Sequence, residues 1–226
     1  MRVAAEVFAD QGYRSATIRD ICRRAGTNVA SVNYHFGGKA GLYRAVVQSG
    51  GAFTSEMAGR LAASGGAAED RLRAYVEVFL ARVLAEGPCA VHGRIMAREM
   101  IEPTEALDQL VDGFIRPEAE MLSLAVGEIV GKDFNREEIR LLCMSVAAQV
   151  VFYKHCRPVV ERLFPDFRLD SAAVSVLAES IAGFSVAGLR GLRAGRSAAR
   201  AAKMKGTSGT ATVTRSAERR IAKGRN

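Results

Sequence analysis

The chain of 226 residues is long enough for one large domain or two smaller ones, and its composition, 49% hydrophobic without Trp, is that of a globular protein. The formal net charge of +8 is unevenly spread, with +4 in residues 1–50, −6 in residues 51–189 and +10 in residues 190–226. No uncharged apolar run approaches the roughly 18 residues of a membrane span, and charged residues interrupt the N-terminal stretch. We therefore expect a cytoplasmic chain without a signal peptide or a membrane partner. The basic segments at its two ends are expected to bind a polyanion.

The first 50 residues predict four helices. Thr17 and Asn28 are good N-caps for the second and third helices, because their side-chain oxygens can accept from the first backbone N–H groups. Gly12 and Gly26 are expected to end the first and second helices. The predicted helices span residues 2–11, 17–26, 28–34 and 38–63.

The rest of the chain also predicts helices, because no segment shows the strict alternation of a strand. A linker is expected at residues 62–70, Pro117 is expected to begin a helix, and Asn135 and Asp170 are expected to cap two others. Few large apolar residues follow residue 193, and many small and basic ones do, which predicts disorder. The helices are expected at residues 71–86, at 104–130 as one helix or two, at 135–156 and at 170–192. The predicted fold is thus all-α, with an N-terminal unit at 1–50, a helical domain at 51–193 and a disordered basic tail at 194–226.

Residues 17–36 have the pattern of a helix-turn-helix, two short helices joined by a turn at Gly26. Ile18, Ile21 and Val32 are expected to fix the angle between the helices. The third helix presents small and polar side chains suited to the floor of a DNA major groove: Val29, Ala30, Ser31 and Asn33. Phosphate contacts are expected from Thr17, Tyr34, His35 and Lys39, and the predicted DNA-binding set also includes Arg19 and Asn28.

Lys39 opens the fourth helix, where a cation meets the positive end of the helix dipole at a cost of roughly 0.3–1 kcal/mol. A phosphate held by the backbone N–H groups of Gly38 and Lys39 would make a lysine at this position favourable, because the anion attracts the ammonium. The alternative is an exposed lysine that merely tolerates the position. The surrounding motif favours the phosphate contact.

From Val3 to Val47 the sequence resembles the DNA-binding domain of TetR/AcrR-family regulators. The family pattern of Y-H-F followed by a Lys that opens helix four matches Tyr34, His35, Phe36 and Lys39. Further matching positions are Phe8, Gly12, Thr17, Ile18, Ile21, Ala25 and Gly26. The resemblance implies a homodimeric transcriptional regulator, a repressor in the simplest case, that binds a palindromic operator in double-stranded DNA.

Further segments resemble the CecR-like branch of that family and extend the likeness to about residues 1–190. They are "NVASVNYHF", "MAREMIEPTEALDQL", "FIRP" and "VFYKHCRPVVERLFP". The branch carries a characteristic C-terminal domain. The resemblance implies that residues 51–193 dimerise and bind a small-molecule ligand.

The helix that begins at Asp170 carries two stripes at heptad-like spacing, one of large apolar and one of small residues. A helix on the surface of a monomer needs only one such stripe, so two indicate burial on both sides. A central helix inside a monomeric bundle is the alternative, and the family resemblance, which implies a dimer built from the last two helices, favours a partner chain. The predicted interface residues are Val174, Ala178, Ile181, Ala182 and Ser185.

Flexible apolar side chains near a few polar groups suggest a pocket for a small apolar or amphipathic ligand. A plain hydrophobic core would explain the Met and Phe residues equally well. Gln149 and Tyr153 favour the pocket, because buried polar groups need partners. The predicted lining is Met96, Met100, Leu110, Phe114, Gln149, Phe152 and Tyr153.

Other functions receive less support from the sequence. Cys89, His92, His155 and Cys156 could form a metal- or oxidant-sensing site, but none has the ligand spacing of a known metal loop. The four cysteines show no C-x-x-C pair, which favours reduced thiols. No nucleotide-binding or hydrolase motif occurs, so we expect no enzyme and no cofactor. A nonspecific nucleic-acid binder that depends on its basic tail remains an alternative.

Overall fold

The computed structural model describes residues 1–49, 59, 66–85, 90–170 and 172–223, with side chains as far as residue 203. Regular structure in these residues is entirely helical, which confirms the predicted all-α fold. The predicted linker at 62–70 and the end of the fourth helix lie largely outside them. The helices are α1 (Arg2–Ser15), α2 (Ile18–Ala25), α3 (Val29–Phe36), α4 (Lys39–Ser49), α5 (Ala68–Val83), α6 (Ala90–Ile101), α7 (Ala106–Leu110), a π-helical turn (Val111–Ile115), α8 (Arg116–Val130), α9 (Arg136–His155), α10 (Arg157–Leu163) and α11 (Ala173–Lys223).

Helices α1 to α4 form the head, which packs around its own apolar core. Phe8 and Val46 lie fully buried at its centre, and Val32 anchors the short α3 in it. The predicted stop at Gly12 is instead a break inside α1, where the backbone (φ 78°, ψ 165°) leaves the helical region before the helix resumes as far as Ser15. Glycine adopts such a conformation at little cost. The sequence therefore predicted where the helical backbone is broken, but not that the helix continues after the break.

The core of the head extends beyond the first four helices. Val91 and Ile95 of α6, with Ala106 and Leu110 of α7, belong to the same buried cluster as Phe8. Side-chain packing therefore joins α6 and α7, which lie beyond the predicted boundary at residue 50, to the head.

Helices α5, α8, α9 and α11 form the body around a second core. One residue from each helix is 0% exposed at its centre, and these are Leu72, Val126, Val150 and Ala182. Helix α11 lies along α5 and α8, with its apolar face turned inward. By length and composition alone residues Ala173–Lys203 would suffice to cross a membrane. One face of this stretch, with Ala178, Ile181 and Ala182, is buried in the core of the body.

Three helix starts in the body lie where the sequence predicts them. Asn135 Oδ1 accepts from Glu138 N at 3.0 Å, and Glu138 Oε2 accepts from Asn135 N at 2.8 Å, which closes a capping box at α9. Asp170 Oδ1 accepts from Ala172 N at 2.9 Å before α11. Pro117 lies in the first turn of α8. Of the two outcomes that the sequence leaves open for 104–130, one helix or two, the structure has a continuous helical segment in which the π-helical turn joins α7 to α8.

Helix α11 continues through residues that were predicted to be disordered. The prediction ended the helix near Leu192 and placed disorder from residue 194, whereas the helix runs to Lys223. Arg196 lies 2.6 Å from Glu138 Oε1, and Arg200 lies 2.8 Å from Asp133 Oδ1. These ion pairs hold the first turns of the extension against the start of α9. The segment from 196 to 205 is rich in Ala, Arg and Lys and contains no Gly or Pro, so it favours a helix even without an apolar face.

Candidate nucleic-acid interface and internal cavity

Helices α2 and α3 form the two arms of a helix-turn-helix whose ends are fixed by local hydrogen bonds. Thr17 Oγ1 accepts from Asp20 N at 3.1 Å, and Asn28 Oδ1 accepts from Ser31 N at 2.7 Å. Gly26 sits between the helices in the left-handed region (φ 64°), where glycine is favoured. The side-chain oxygens of Thr17 and Asn28 thus act first as caps. Their remaining O–H and N–H donors are left for a phosphate.

The outer face of α3 is solvent-exposed, as reading a groove requires. Val32 is buried against the head, while Val29, Ala30 and Asn33 point outward and Ser31 is half-buried. Residues 29, 30, 31 and 33 have small or polar side chains, which allow this part of the helix to approach base edges closely.

The predicted phosphate contacts surround this face. Arg19 and His35 are exposed, and Tyr34 is 86% exposed, with its ring 5.1 Å from that of His35 in an edge-on arrangement. A tyrosine so far out of the core contributes little to stability. Its hydroxyl is available to an external partner.

Lys39 has internal partners that the sequence did not predict. Its Nζ donates to the carbonyl oxygen of Arg14 at 3.0 Å and lies 4.7 Å from the centroid of the Tyr13 ring. Partial burial lowers the pKa of Lys39. The ammonium therefore stabilises the C-terminal end of α1, where a cation suits the helix dipole, and keeps two further N–H donors.

The turn between α3 and α4 depends on three glycines. Gly37 (φ 70°) and Gly38 (φ 107°) both have positive φ, which reverses the chain within two residues. A Cβ atom on Gly41 would lie 1.6 Å from the carbonyl oxygen of Phe36, which is impossible without a backbone shift. Glycine at position 41 thus lets α4 start directly beneath the end of the recognition helix.

A cavity of about 690 Å³ lies between the head and the body. Four of the predicted lining residues, Met96, Met100, Leu110 and Phe114, do line it. Its walls come from α4 to α9 and the π-helical turn, and they are mainly apolar. The volume lies within the range of about 300–1,000 Å³ that small-molecule sites occupy.

The other three predicted lining residues lie elsewhere. Gln149 Nε2 donates to Ser185 Oγ at 3.1 Å, Phe152 is 49% exposed, and Tyr153 packs against the core of the body. The helical period assigned them to α9 correctly, but the direction of each side chain depends on which helices pack around α9. The sequence near these residues does not show which helices those are.

The polar lining of the cavity was not predicted as one set, because its residues come from five separate helices. Arg82 pairs with Glu118 through two hydrogen bonds, one of 2.8 Å, and stacks on Phe79 with 4.8 Å between its Cζ atom and the ring centroid. His92 Nε2 lies 3.3 Å from Ser49 Oγ and 3.2 Å from the Val46 carbonyl oxygen. Lys154 and His155, at the end of α9, complete the polar lining.

Helix α6 connects this cavity to the head. Met96 faces the cavity, while the next turn binds the head through side chains on its other sides. The Arg98 guanidinium donates to the carbonyl oxygens of Ala9 (2.9 Å) and Asp10 (2.6 Å), in the turn before the break at Gly12. The hydroxyl of Tyr43 in α4 donates to Glu99 at 2.6 Å. A shift of α6 would therefore displace its contacts with both α1 and α4.

The predicted metal- or oxidant-sensing residues are not assembled into one site. His92 and His155 both line the cavity, Cys156 is half-buried at the end of α9, and Cys89 lies outside the described residues. Among the residues that the structure describes, no three His, Cys, Asp or Glu side chains come together as metal ligands would.

The predicted dimer residues face the interior of their own chain. Ala178, Ile181, Ala182 and Ser185 are at most 6% exposed, and Val174 packs against the same core. These five residues are covered by α5, α8 and α9, so another face of α11 must be considered for a partner. The outward residues of α11 are Val176, Ser180, Gly183, Phe184, Ala187 and Gly191, and those of α9 are Leu141, Ser145, Ala148 and Phe152.

Solved structures with this fold belong to transcriptional regulators. A protein of Pseudomonas aeruginosa PAO1 described as a transcriptional regulator is 19% identical, with a TM-score of 0.63 over 83% of this chain and 88% of that one. FadR from Bacillus subtilis in complex with stearoyl-CoA is 15% identical, with a TM-score of 0.60 over 82% and 95%. A tetR-family regulatory protein from Rhodococcus RHA1 is 21% identical, with a TM-score of 0.54 over 82% and 93%. At these identities the likeness establishes the fold.

Family models match both parts of the sequence. Comparison with curated proteins gives no significant match. Residues 1–46 match the model of bacterial regulatory proteins of the tetR family, which contains the helix-turn-helix described above. Residues 68–189, more than half of the chain, match the C-terminal domain of the HTH-type transcriptional dual regulator CecR. The chain thus belongs to the TetR family of DNA-binding transcriptional regulators, with a C-terminal domain of the CecR type.

Proposed function

We propose that this protein is a ligand-responsive repressor that binds a palindromic operator as a homodimer. The observation that carries the proposal is the double role of α6. One side of this helix lines the cavity with His92 and Met96, and the following turn holds the head through Arg98 and Glu99. A ligand that displaces α6 would thereby reorient the DNA-binding helices.

Operator recognition is assigned to the exposed face of α3. Val29 and Ala30 are suited to thymine methyl groups, and Ser31 and Asn33 to hydrogen bonds with base edges. Exposed Tyr34 and the flanking cations supply sequence-independent phosphate contacts.

The second copy is assigned to the outward faces of α9 and α11. Phe184 is 74% exposed, Val176 68% and Leu141 56%, which is unusual for large apolar side chains on a monomer surface. Small residues between them, such as Gly183 and Ala148, would let two helix pairs approach closely. Binding to successive major grooves roughly 34–36 Å apart requires a two-fold arrangement of these four helices in which the two α3 helices lie on one side of the dimer.

The ligand is assigned to the cavity between the head and the body. Its walls suit a small apolar or amphipathic molecule, and the structurally similar FadR is described in complex with stearoyl-CoA, an amphipathic one. In a two-state scheme the ligand shifts the population toward the dimer whose α3 spacing no longer fits DNA, and it can do so only if it binds that state more tightly.

Selection of DNA fragments by the purified full-length chain, followed by sequencing, tests operator binding. An inverted repeat with half-sites about one helical turn apart is expected. A variant that fills the cavity, Ala147→Phe, should keep operator binding but lose release by any ligand that releases the wild type. Enrichment of no sequence, or release of the filled variant by the same ligand, would contradict the proposal.

A further inference from the structure

The lining of the cavity has an unbalanced positive charge. The charged side chains that line it are Arg82, Glu118 and Lys154, and the first two neutralise each other as an ion pair. Lys154, in the last turn of α9, has no carboxylate partner within the part of the chain that the structure describes. The lining that the described residues provide therefore carries one uncompensated cation.

The surroundings of Lys154 increase this imbalance. Burial lowers the pKa of Lys154, and the nearby guanidinium groups of Arg157 and Arg94 lower it further. Those two arginines have carboxylate partners of their own, Glu161 at 2.8 Å and Asp10 at 3.2 Å. A partly desolvated ammonium beside two other cations is costly, and an anion placed next to it would offset that cost.

The rest of the cavity suits a hydrocarbon body. Away from Lys154 its wall is built from flexible and aromatic apolar side chains, among them Met96, Phe114 and Leu122. Ser49, His92 and His155 add hydrogen-bonding groups to the lining. The described lining therefore combines a large apolar surface with an internal ion pair, one cation without a carboxylate partner and a few hydrogen-bonding groups.

We propose that the cavity binds an amphipathic monoanion, with its apolar chain against Met96 and Phe114 and its carboxylate, or an equivalent anionic head group, at Lys154. The inference rests on the proposed role of the cavity as the effector site. It adds the sign of the ligand's charge and the residue that recognises it. A neutral or cationic molecule with the same chain would leave Lys154 uncompensated and bind more weakly.

Direct binding of three probes with the same chain, below their micelle concentrations and without DNA, tests this inference. Dodecanoate, 1-dodecanol and dodecyltrimethylammonium differ only in the charge of the head group. The wild type should bind dodecanoate about tenfold more tightly than dodecanol, the gain expected of a charge-assisted hydrogen bond, and the cation least. Lys154→Met should abolish this preference and Lys154→Arg should keep it.

Two controls locate the effect. Lys132→Met removes an equally positive but exposed side chain outside the cavity and should leave all three affinities unchanged. Ala147→Phe, which fills the cavity, should weaken all three probes together. Equal affinity of the wild type for the three probes, an unchanged preference in Lys154→Met, or binding of none would overturn the inference. A probe that binds as expected but does not release the operator would contradict the proposed regulation and leave the anion site standing.

Discussion

The hydroxyl of Tyr43 donates a 2.6 Å hydrogen bond to Oε1 of Glu99, which joins α4 of the head to α6 at a buried contact. Glu99 is only 1% exposed, and its oxygens also accept from the backbone N–H and the hydroxyl of Thr104, each at 2.9 Å. Burial and the bond to Glu99 raise the pKa of Tyr43. The phenol therefore remains the donor at neutral pH, and the carboxylate is held by three donors from two directions.

Replacing Tyr43 by Phe should lower the free energy of unfolding by about 1–3 kcal/mol, because a buried carboxylate loses one of its donors without gaining water. For a chain of this size we expect a fall in Tm of about 2–4 °C per kcal/mol, measured by thermal denaturation followed by circular dichroism. Tyr34→Phe is the matched control, since Tyr34 is 86% exposed, and should leave Tm unchanged. Equal melting temperatures for the two variants would show that the contact does not stabilise the fold.

Gly41→Ala should destabilise the head severely. The added methyl group would lie 1.6 Å from a backbone oxygen, that of Phe36, so either α3 or α4 must move. We expect a loss of about 3 kcal/mol, at the upper end of the range for overpacked sites, and weaker operator binding in gel-shift titrations. At Gly195 of α11 an added Cβ would have no heavy atom within 4 Å. Gly195→Ala should therefore be neutral or slightly stabilising, and a similar loss in both variants would contradict the steric explanation.

The sequence predicted the features that depend on local chemistry. The caps at Thr17 and Asn28 and the turn at Gly26 follow from rules that operate within four residues, and the structure has all three. It could not predict which side of α11 faces inward, because Ala178 and Ala182 suit a close helix contact within the chain as well as one between chains. The charged residues of the cavity, Arg82 and Lys154, are far apart in sequence and meet only through the packing of the body.

Lys39→Ala should weaken binding to every duplex by a similar factor. The Nζ atom uses one donor on the Arg14 carbonyl, and the proposed phosphate contact uses another. Because a phosphate contact carries no sequence information, the slope of log affinity against log salt should decrease by about one. Asn33→Ala should instead relax the preference at particular base pairs. A salt slope that stays at the wild-type value in Lys39→Ala, with a lower Tm, would assign this lysine to the support of α1 alone.

Phe184→Arg should convert the proposed dimer into a folded monomer. Phe184 is 74% exposed in the single chain, so a charge there disturbs only a partner. Ala182→Arg is the contrasting change, because Ala182 is 0% exposed within the body and a buried unpaired charge should unfold it. Sedimentation velocity at micromolar concentration and far-ultraviolet circular dichroism distinguish these results. A wild type that sediments as a monomer would refute the proposed interface.

Removal of residues 204–226 separates a sequence-specific regulator from a nonspecific binder. This segment contains six Lys and Arg residues and a single Glu, and its removal leaves the ion pairs of Arg196 and Arg200 intact. Basic residues at the end of α11 raise affinity for any DNA by releasing counterions, but they do not read bases. Truncation should therefore weaken binding to random duplex at low salt, while operator binding through Ser31 and Asn33 survives and the ratio of specific to nonspecific affinity rises.

A full-length control with the six basic residues changed to Gln should behave like the truncated chain, since charge and not length is the cause. Equal loss of operator and random-duplex binding, with no remaining preference, would mean that the helix-turn-helix does not carry the specificity.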